Sequence, residues 1–151
     1  MKRRVLILII FIFLFQIFPC LAKEIPVNIV PANKITTCNE SIQEGDFIEF
    51  FVDENVNVKS KTFIPKGQKV RGTLTTLEDN DILLKPALIY IEDFKTTDIN
   101  GKEVSLNGIV YKKGNDHSLF KEIILIDFIR GGEVFLAPEK DKFILFLQEG
   151  Q

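Results

Sequence analysis

Three residues of this sequence have the types from which a thiol nucleophile could be built: Cys38, His117 and Arg130. A cysteine attacks as its thiolate, and a neighbouring histidine or cation lowers the pKa of the thiol enough to form it. If the fold brought these three side chains together, the chain would be a thiol-dependent enzyme of the cell envelope, similar in its chemistry to a transpeptidase.

The sequence around these residues argues against that chemistry. Sortase-type transpeptidases place the histidine before the cysteine, whereas Cys38 here precedes His117. Only Thr36-Thr37-Cys38 echoes their Thr-Leu-x-Thr-Cys motif. His117 follows the polar run Gly114–Asp116, which is typical of a solvated loop. Cys38 is typical of a small buried apolar residue. We therefore predict a protein that is not an enzyme.

No metal or cofactor site is predicted either. One histidine and one cysteine cannot supply the ligands of a structural zinc site. Glu92, Asp93 and Asp98 are close in sequence, but nothing marks a pair at the spacing of glycosidase carboxylates. Asp79-Asn80-Asp81 lacks the glycine and the distal glutamate of a calcium loop, so we interpret it as a solvated turn.

Residues 1–22 have the three parts of a secretory signal peptide. Lys2–Arg4 is basic, Val5–Phe18 is apolar except at Gln16, and Cys20 and Ala22 are the small residues of a cleavage site. A membrane-spanning helix needs roughly 20 apolar residues, which is longer than this stretch. We predict cleavage after Ala22 and export to the periplasm or cell envelope, or secretion.

Two alternatives to cleavage stay open. A retained segment would anchor the protein, and membrane contact would then run only through that uncleaved segment. A lipoprotein attached through Cys20 is the other alternative, although Pro19 stands where lipoprotein signals have a small residue.

The composition after residue 22 excludes some partners. The chain has 19 basic and 21 acidic residues, and loss of three basic residues with the signal leaves a net charge of −5. Binding to a phosphate backbone depends on lysine and arginine, so nucleic acid is not an expected partner. Ten phenylalanines remain, and adjacent Phe50 and Phe51 must point to opposite faces of a strand. Either both faces are covered, or one face is a partner-binding patch.

Alternating apolar residues predict strands along most of residues 23–151. Turn signals separate them, and the strongest are Pro65-Lys66-Gly67 and Asn100-Gly101. For Asn100-Gly101 we predict a type I′ hairpin turn. Short strands at this spacing indicate one all-β domain, a small antiparallel β-barrel or sandwich. Residues 118–129 fit either a short helix or a strand, and we favour the helix.

A proline-containing corner recurs three times in the chain. Val30–Ile35, Ile64–Val70 and Leu136–Phe143 each join an apolar strand end to an apolar restart. The unequal spacing argues against a solenoid, so we interpret the three segments as similar hairpin corners.

These corners also carry a family resemblance. Phe63–Gly67, Val70–Leu74 and Asp98–Gly108 resemble the "IPxG … VxGxV … DGxxIxLxG" pattern of a set of uncharacterised exported bacterial β-domain proteins. A more distant likeness is to the C-terminal β-barrel domain of the channel component of type IV secretion systems. The residues that carry the resemblance are structural ones, namely Pro65, Gly67, Gly72, Asn100 and Gly101.

The resemblance implies a compact envelope β-domain. It does not imply a secretion-channel role, because the long multi-domain context of that component is absent. We expect the protein to act in envelope binding or assembly, through another envelope protein or through self-association at a sheet edge.

Overall fold

The computed structural model of the protein describes residues 24–37, 42–79, 86–114 and 133–148. These residues form strands and connecting turns, so the predicted all-β class is confirmed. The strands are β1 (Glu24–Pro31), β2 (Ile35–Thr36), β3 (Phe47–Val52), β4 (Val56–Val58), β5 (Lys61–Ile64), β6 (Lys69–Glu78), β7 (Leu88–Thr97), β8 (Glu103–Leu106), β9 (Val110–Lys113), β10 (Phe135–Leu136) and β11 (Phe143–Gln148). The predicted signal segment and the predicted helix at 118–129 lie outside the described residues.

The main sheet is antiparallel and curls into a nearly closed barrel. Its strand order is β11-β1-β3-β6-β7-β8, and β9 also pairs with β7. Two backbone hydrogen bonds bring β11 back to the end of β8. The Asn107 N–H donates to the Phe146 carbonyl at 2.8 Å, and the Phe146 N–H donates to the Asn107 carbonyl at 2.7 Å. We call this contact the seam of the barrel.

Alternation along the strands fills the barrel with apolar side chains. Val27 and Ile29 of β1 point inward, as do Phe50 of β3 and Leu145 of β11, and all four are fully buried. The Phe50 and Phe94 rings meet edge to face with centroids 5.7 Å apart, a geometry that aromatic rings favour. Burial of these side chains is the main stabilising contribution, since removal of apolar area from water dominates folding.

Strand β1 lies between β11 and β3 although it contains prolines at positions 26 and 31. The Asn28 carbonyl faces β3, where it accepts a hydrogen bond from the Asp53 N–H. In an antiparallel ladder, residues two apart face the same neighbour, so Pro26 also faces the β3 side. The β1–β3 pairing begins only at Ile29, and the missing N–H of Pro26 therefore costs no ladder hydrogen bond.

The three proline-containing corners are not hairpins, and that prediction was wrong. Each one joins two strands that do not pair with each other: β1 to β2, β5 to β6, and β10 to β11. β2 and β10 form a separate two-stranded sheet, and so do β4 and β5. The corners thus connect a small sheet to the barrel. Which strands pair on each side of a corner depends on residues distant in sequence, and local turn residues do not specify it.

The predicted type I′ turn at Asn100-Gly101 was also wrong. Such a turn needs positive φ at both central residues, but here only Gly101 has it, at 81°. The Gly101 N–H instead donates to the Asp98 carbonyl at 3.0 Å, which makes Ile99 and Asn100 the central residues. Gly101 follows them in the left-handed region, as in a three-residue hairpin loop with a bulge.

The turn between β4 and β5 does have positive φ at both central residues. They are Lys59, at 51°, and Ser60, at 65°. Neither residue is a glycine or an asparagine, so the sequence carries no local signal for this conformation. The pairing of β4 with β5 imposes it.

The predicted turn at Pro65-Lys66-Gly67 is present. The Gln68 N–H donates to the Pro65 carbonyl at 3.2 Å, so Pro65 is the first residue of the turn and Gly67 the third. Gly67 has a φ of 80°, which the third position of a type II turn requires.

Candidate functional site

Two of the predicted structural corners lie side by side in the barrel. The Ile99 N–H of the β7–β8 turn donates to the Phe63 carbonyl of β5 at 2.9 Å, two residues before Pro65. The Gln68 amide donates to the Thr97 hydroxyl at 2.6 Å. Hydrogen bonds therefore hold the Pro65–Gly67 corner next to the Asn100–Gly101 turn. We assign both segments a structural role.

Gly72 has a different role, in the middle of β6. It lies opposite two residues of β7, Asp93 and Phe94, because the register there changes from Arg71 with Lys95 to Thr73 with Glu92. A Cβ atom at position 72 would lie 2.5 Å from the Phe94 Cε1 atom. The glycine thus makes room for the Phe94 ring in the core, and the extra residue of β7 forms a β-bulge.

The bulge turns Asp93 outward in a strained conformation. Asp93 has a φ of 52°, a region that aspartate tolerates better than most side chains. Its carboxylate is exposed and makes no hydrogen bond to any described residue. Sequence reasoning treated Asp93 only as a member of a possible acid pair, since a bulge depends on the partner strand.

The Asp98 carboxylate holds its own turn together. It accepts hydrogen bonds from the Asn100 N–H at 2.8 Å and the Lys102 N–H at 2.9 Å. These bonds favour the ionised form, the one from Lys102 most strongly, and they lower the pKa of Asp98 although burial opposes them. Because the carboxylate is engaged in this way, we assign Asp98 a structural role.

Asp141 closes the third proline corner in a similar way. Its carboxylate accepts a hydrogen bond from the Ala137 N–H at 2.7 Å and pairs with the Lys112 ammonium group. Lys112 also donates to the Phe135 carbonyl at 2.6 Å. These bonds stabilise a corner that lacks the glycine found in the Ile64–Val70 corner.

Around that corner lies a cleft of about 590 Å³. Lys34, Lys112, Lys113 and Lys140 give it a positive charge that Glu133 and Asp141 only partly offset. The Lys34 ammonium group lies 4.9 Å from the centre of the Phe135 ring, within cation–π distance. Gly114 and Glu133 also line the cleft.

A second groove of about 580 Å³ crosses the outer surface of β6, β7 and β8 at the bulge. Its lining consists of Phe47, Arg71, Thr73, Asp93, Phe94, Lys95, Glu103, Ser105, Leu106 and Asn107. We call it the bulge groove. The side chain of Phe47 stands at its edge with 69% of its surface exposed.

A third feature is an apolar surface on β11, β1 and β3. Pro26 lies opposite Phe146, and Val30 lies opposite Phe51. Ile144, two residues from Phe146, is 56% exposed, and the two phenylalanines are each 37% exposed. We call Pro26, Val30, Phe51, Ile144 and Phe146 the outer apolar strip. Phe51 and Phe146 therefore lie on the outer face of the barrel.

The proposed thiol site cannot be placed. Cys38, His117 and Arg130 all lie outside the described residues, so the transpeptidase alternative stays a hypothesis. Among the residues that are described, no group of three histidine, cysteine, aspartate or glutamate side chains is arranged to hold a metal ion. The described part of the chain also contains no helix long and apolar enough to cross a membrane.

Comparison with known proteins adds no relative to this description. No protein-family model matches the chain, and no curated protein matches it significantly.

Proposed function

We propose that the protein is a non-catalytic β-barrel domain, exported to the periplasm or cell envelope, that acts by binding another envelope protein. The outer apolar strip is the observation that carries this proposal. Exposed apolar side chains grouped on one face, here with Asn28 between Pro26 and Val30, usually mark an interaction surface, because their contact with water is unfavourable. The predicted signal segment supplies the argument for location.

The edge of β11 next to the strip supports a protein partner. Phe146 is paired with Asn107 across the seam. Ile144 and Gln148 face the same side, and neither pairs with a strand there among the described residues. A partner strand could add to this edge while its side chains cover the strip, as in β-strand addition. An apolar face beside unpaired peptide groups suits a protein better than a small molecule.

The proposal can be tested by site-specific photo-crosslinking in the native host. We expect a photoreactive residue at position 146 to give one heteromeric adduct in the envelope fraction, which Ile144→Ser should abolish. The same probe at Tyr111, which is exposed on β9 away from the strip, is the matched control and should give no such adduct.

Three outcomes would contradict the proposal. One is a chain that stays in the cytosol. Another is crosslinking at position 146 that Ile144→Ser leaves unchanged. The third is an adduct of twice the chain mass, which would show self-association in place of a second protein.

A further inference from the structure

The bulge groove combines apolar and polar surface in a small space. Its floor is formed by Phe94 and Leu106, which are buried, and its edge by the exposed ring of Phe47. β7 pairs with β9 only up to Ile91 and with β8 only from Phe94 onward. Glu92 and Asp93 have neither partner, so the bulge opens the groove where the two neighbouring strands part.

The charges of the groove cancel. Arg71 and Lys95 offset Asp93 and Glu103, and the Lys95 ammonium group pairs with the Glu103 carboxylate at 3.1 Å. The Arg71 guanidinium lies 3.8 Å from a carboxylate oxygen of Glu49, just outside the groove. A groove of this kind does not select an ionic ligand, in contrast to the lysine-rich cleft near Asp141.

Several polar side chains remain available to a ligand. Those of Thr73, Asp93, Ser105 and Asn107 make no hydrogen bond to the described residues. Together they offer carboxylate and amide acceptors and hydroxyl and amide donors within one groove. Asp93 is held there against the conformational preference of its backbone, and such strain is frequent at binding sites.

We propose that the bulge groove binds a neutral carbohydrate chain. A sugar ring has an apolar C–H face, which would pack on the Phe47 ring, and closely spaced hydroxyl groups, which both donate and accept hydrogen bonds. The Asp93 carboxylate would accept hydrogen bonds from those hydroxyls, and the Asn107 amide would both donate to them and accept from them. The volume of about 580 Å³ lies within the range of small-ligand pockets. This site is separate from the outer apolar strip and does not depend on it.

The test is calorimetric titration of the purified protein with three neutral probes: the N-acetylglucosamine tetramer, cellotetraose and maltotetraose. We expect at least one to bind with a dissociation constant of about 10⁻⁵ to 10⁻³ M. Phe47→Ala should weaken that binding roughly tenfold, because it removes the aromatic surface. Tyr111→Ala, which changes an exposed aromatic residue away from the groove, should bind as the wild type does.

Asp93→Gly distinguishes a loss of ligand binding from a loss of stability. Glycine adopts a φ of 52° without strain, so the variant should unfold at the same temperature as the wild type or at a higher one. Without the carboxylate, it should lose most of its affinity for the sugar.

The proposal is overturned if none of the three probes binds at about 10 mM, a concentration above the weakest affinity expected. It is also overturned if Phe47→Ala and Asp93→Gly bind like the wild type. Salt-sensitive binding of a lysine-rich or glutamate-rich peptide, with no response to the sugars, would instead make the groove a peptide site.

Discussion

Gly72 shows how one residue without a side chain shapes both the core and the surface. The missing Cβ admits the Phe94 ring to the core, and the register shift that follows pushes Asp93 outward. The resemblance pattern marks this glycine only as a structural residue. Its physical role is to set the depth at which an aromatic side chain of the next strand can pack.

Replacement of Gly72 by alanine should destabilise the barrel by about 1–3 kcal/mol, the usual cost of overpacking a core. The new methyl group would lie 2.5 Å from Phe94 Cε1 and 2.6 Å from Ile91 Cγ2, so both side chains must move. Urea denaturation measures the change in the free energy of unfolding. Thr73→Ala, on the outward face of the same strand, is the control, and equal stability of the two variants would contradict this role.

At the scale of elements, short polar side chains help to fix two of the turns. The Asp98 carboxylate binds two N–H groups of the β7–β8 turn, and Asp141 holds the corner before β11. In both cases the carboxylate satisfies backbone donors that the turn would otherwise leave without partners. The predicted Asn100-Gly101 signal located the turn correctly but not its type, because Asp98 selects the longer loop.

The β7–β8 turn should make stability depend on pH. The Asp98 pKa is lower in the folded chain than its ordinary value of 3.8. Its stabilising contribution is therefore complete above that value and is lost as pH falls through the lower folded value. Asp98→Asn can still accept the hydrogen bonds but carries no charge, so its stability should fall less in that acidic range. Denaturation midpoints from pH 7 to pH 2 measure the difference, and parallel curves for the two proteins would refute it.

At the scale of the whole molecule, the barrel is closed by few hydrogen bonds. β1 and β11 share six residue pairs, whereas in the described part of the chain the end of β8 is joined to β11 by one hydrogen-bonded pair, Asn107 with Phe146. We expect the seam to be the place where the barrel opens first, since local opening follows the density of hydrogen bonds and contacts.

Asn107→Pro should weaken the seam selectively, because proline cannot donate the hydrogen bond to the Phe146 carbonyl. Hydrogen exchange at the Phe146 N–H should accelerate roughly tenfold, as expected for loss of one net hydrogen bond. The Leu145 N–H, which faces β1, is the internal control for local opening. Asn107→Ala keeps the backbone donor and should exchange as the wild type does. Equal exchange rates of the Phe146 N–H in Asn107→Pro and Asn107→Ala would show that the hydrogen bond from the Asn107 N–H does not hold the seam closed.

Much of the strand pattern was predictable from local sequence. β6 is found where apolar residues alternate with polar or small ones, and β3, β7 and β11 are found at the predicted apolar runs. The central position of β1 in the sheet was not predictable, since its prolines are acceptable there only where no partner needs their N–H. The hairpin interpretation of the proline corners failed for a similar reason: sequence shows a corner but not which strands it separates.

Local sequence specified the all-β class and the positions of the turns at Pro65–Gly67 and Asn100–Gly101, because these depend on neighbouring residues in the chain. Tertiary structure decided the closure of the barrel at Asn107 and Phe146, the bulge at Asp93, and the apolar side chains that lie outside. Each of these depends on the register between strands distant in sequence. A shift of one residue in that register would exchange the inner and outer faces of a strand.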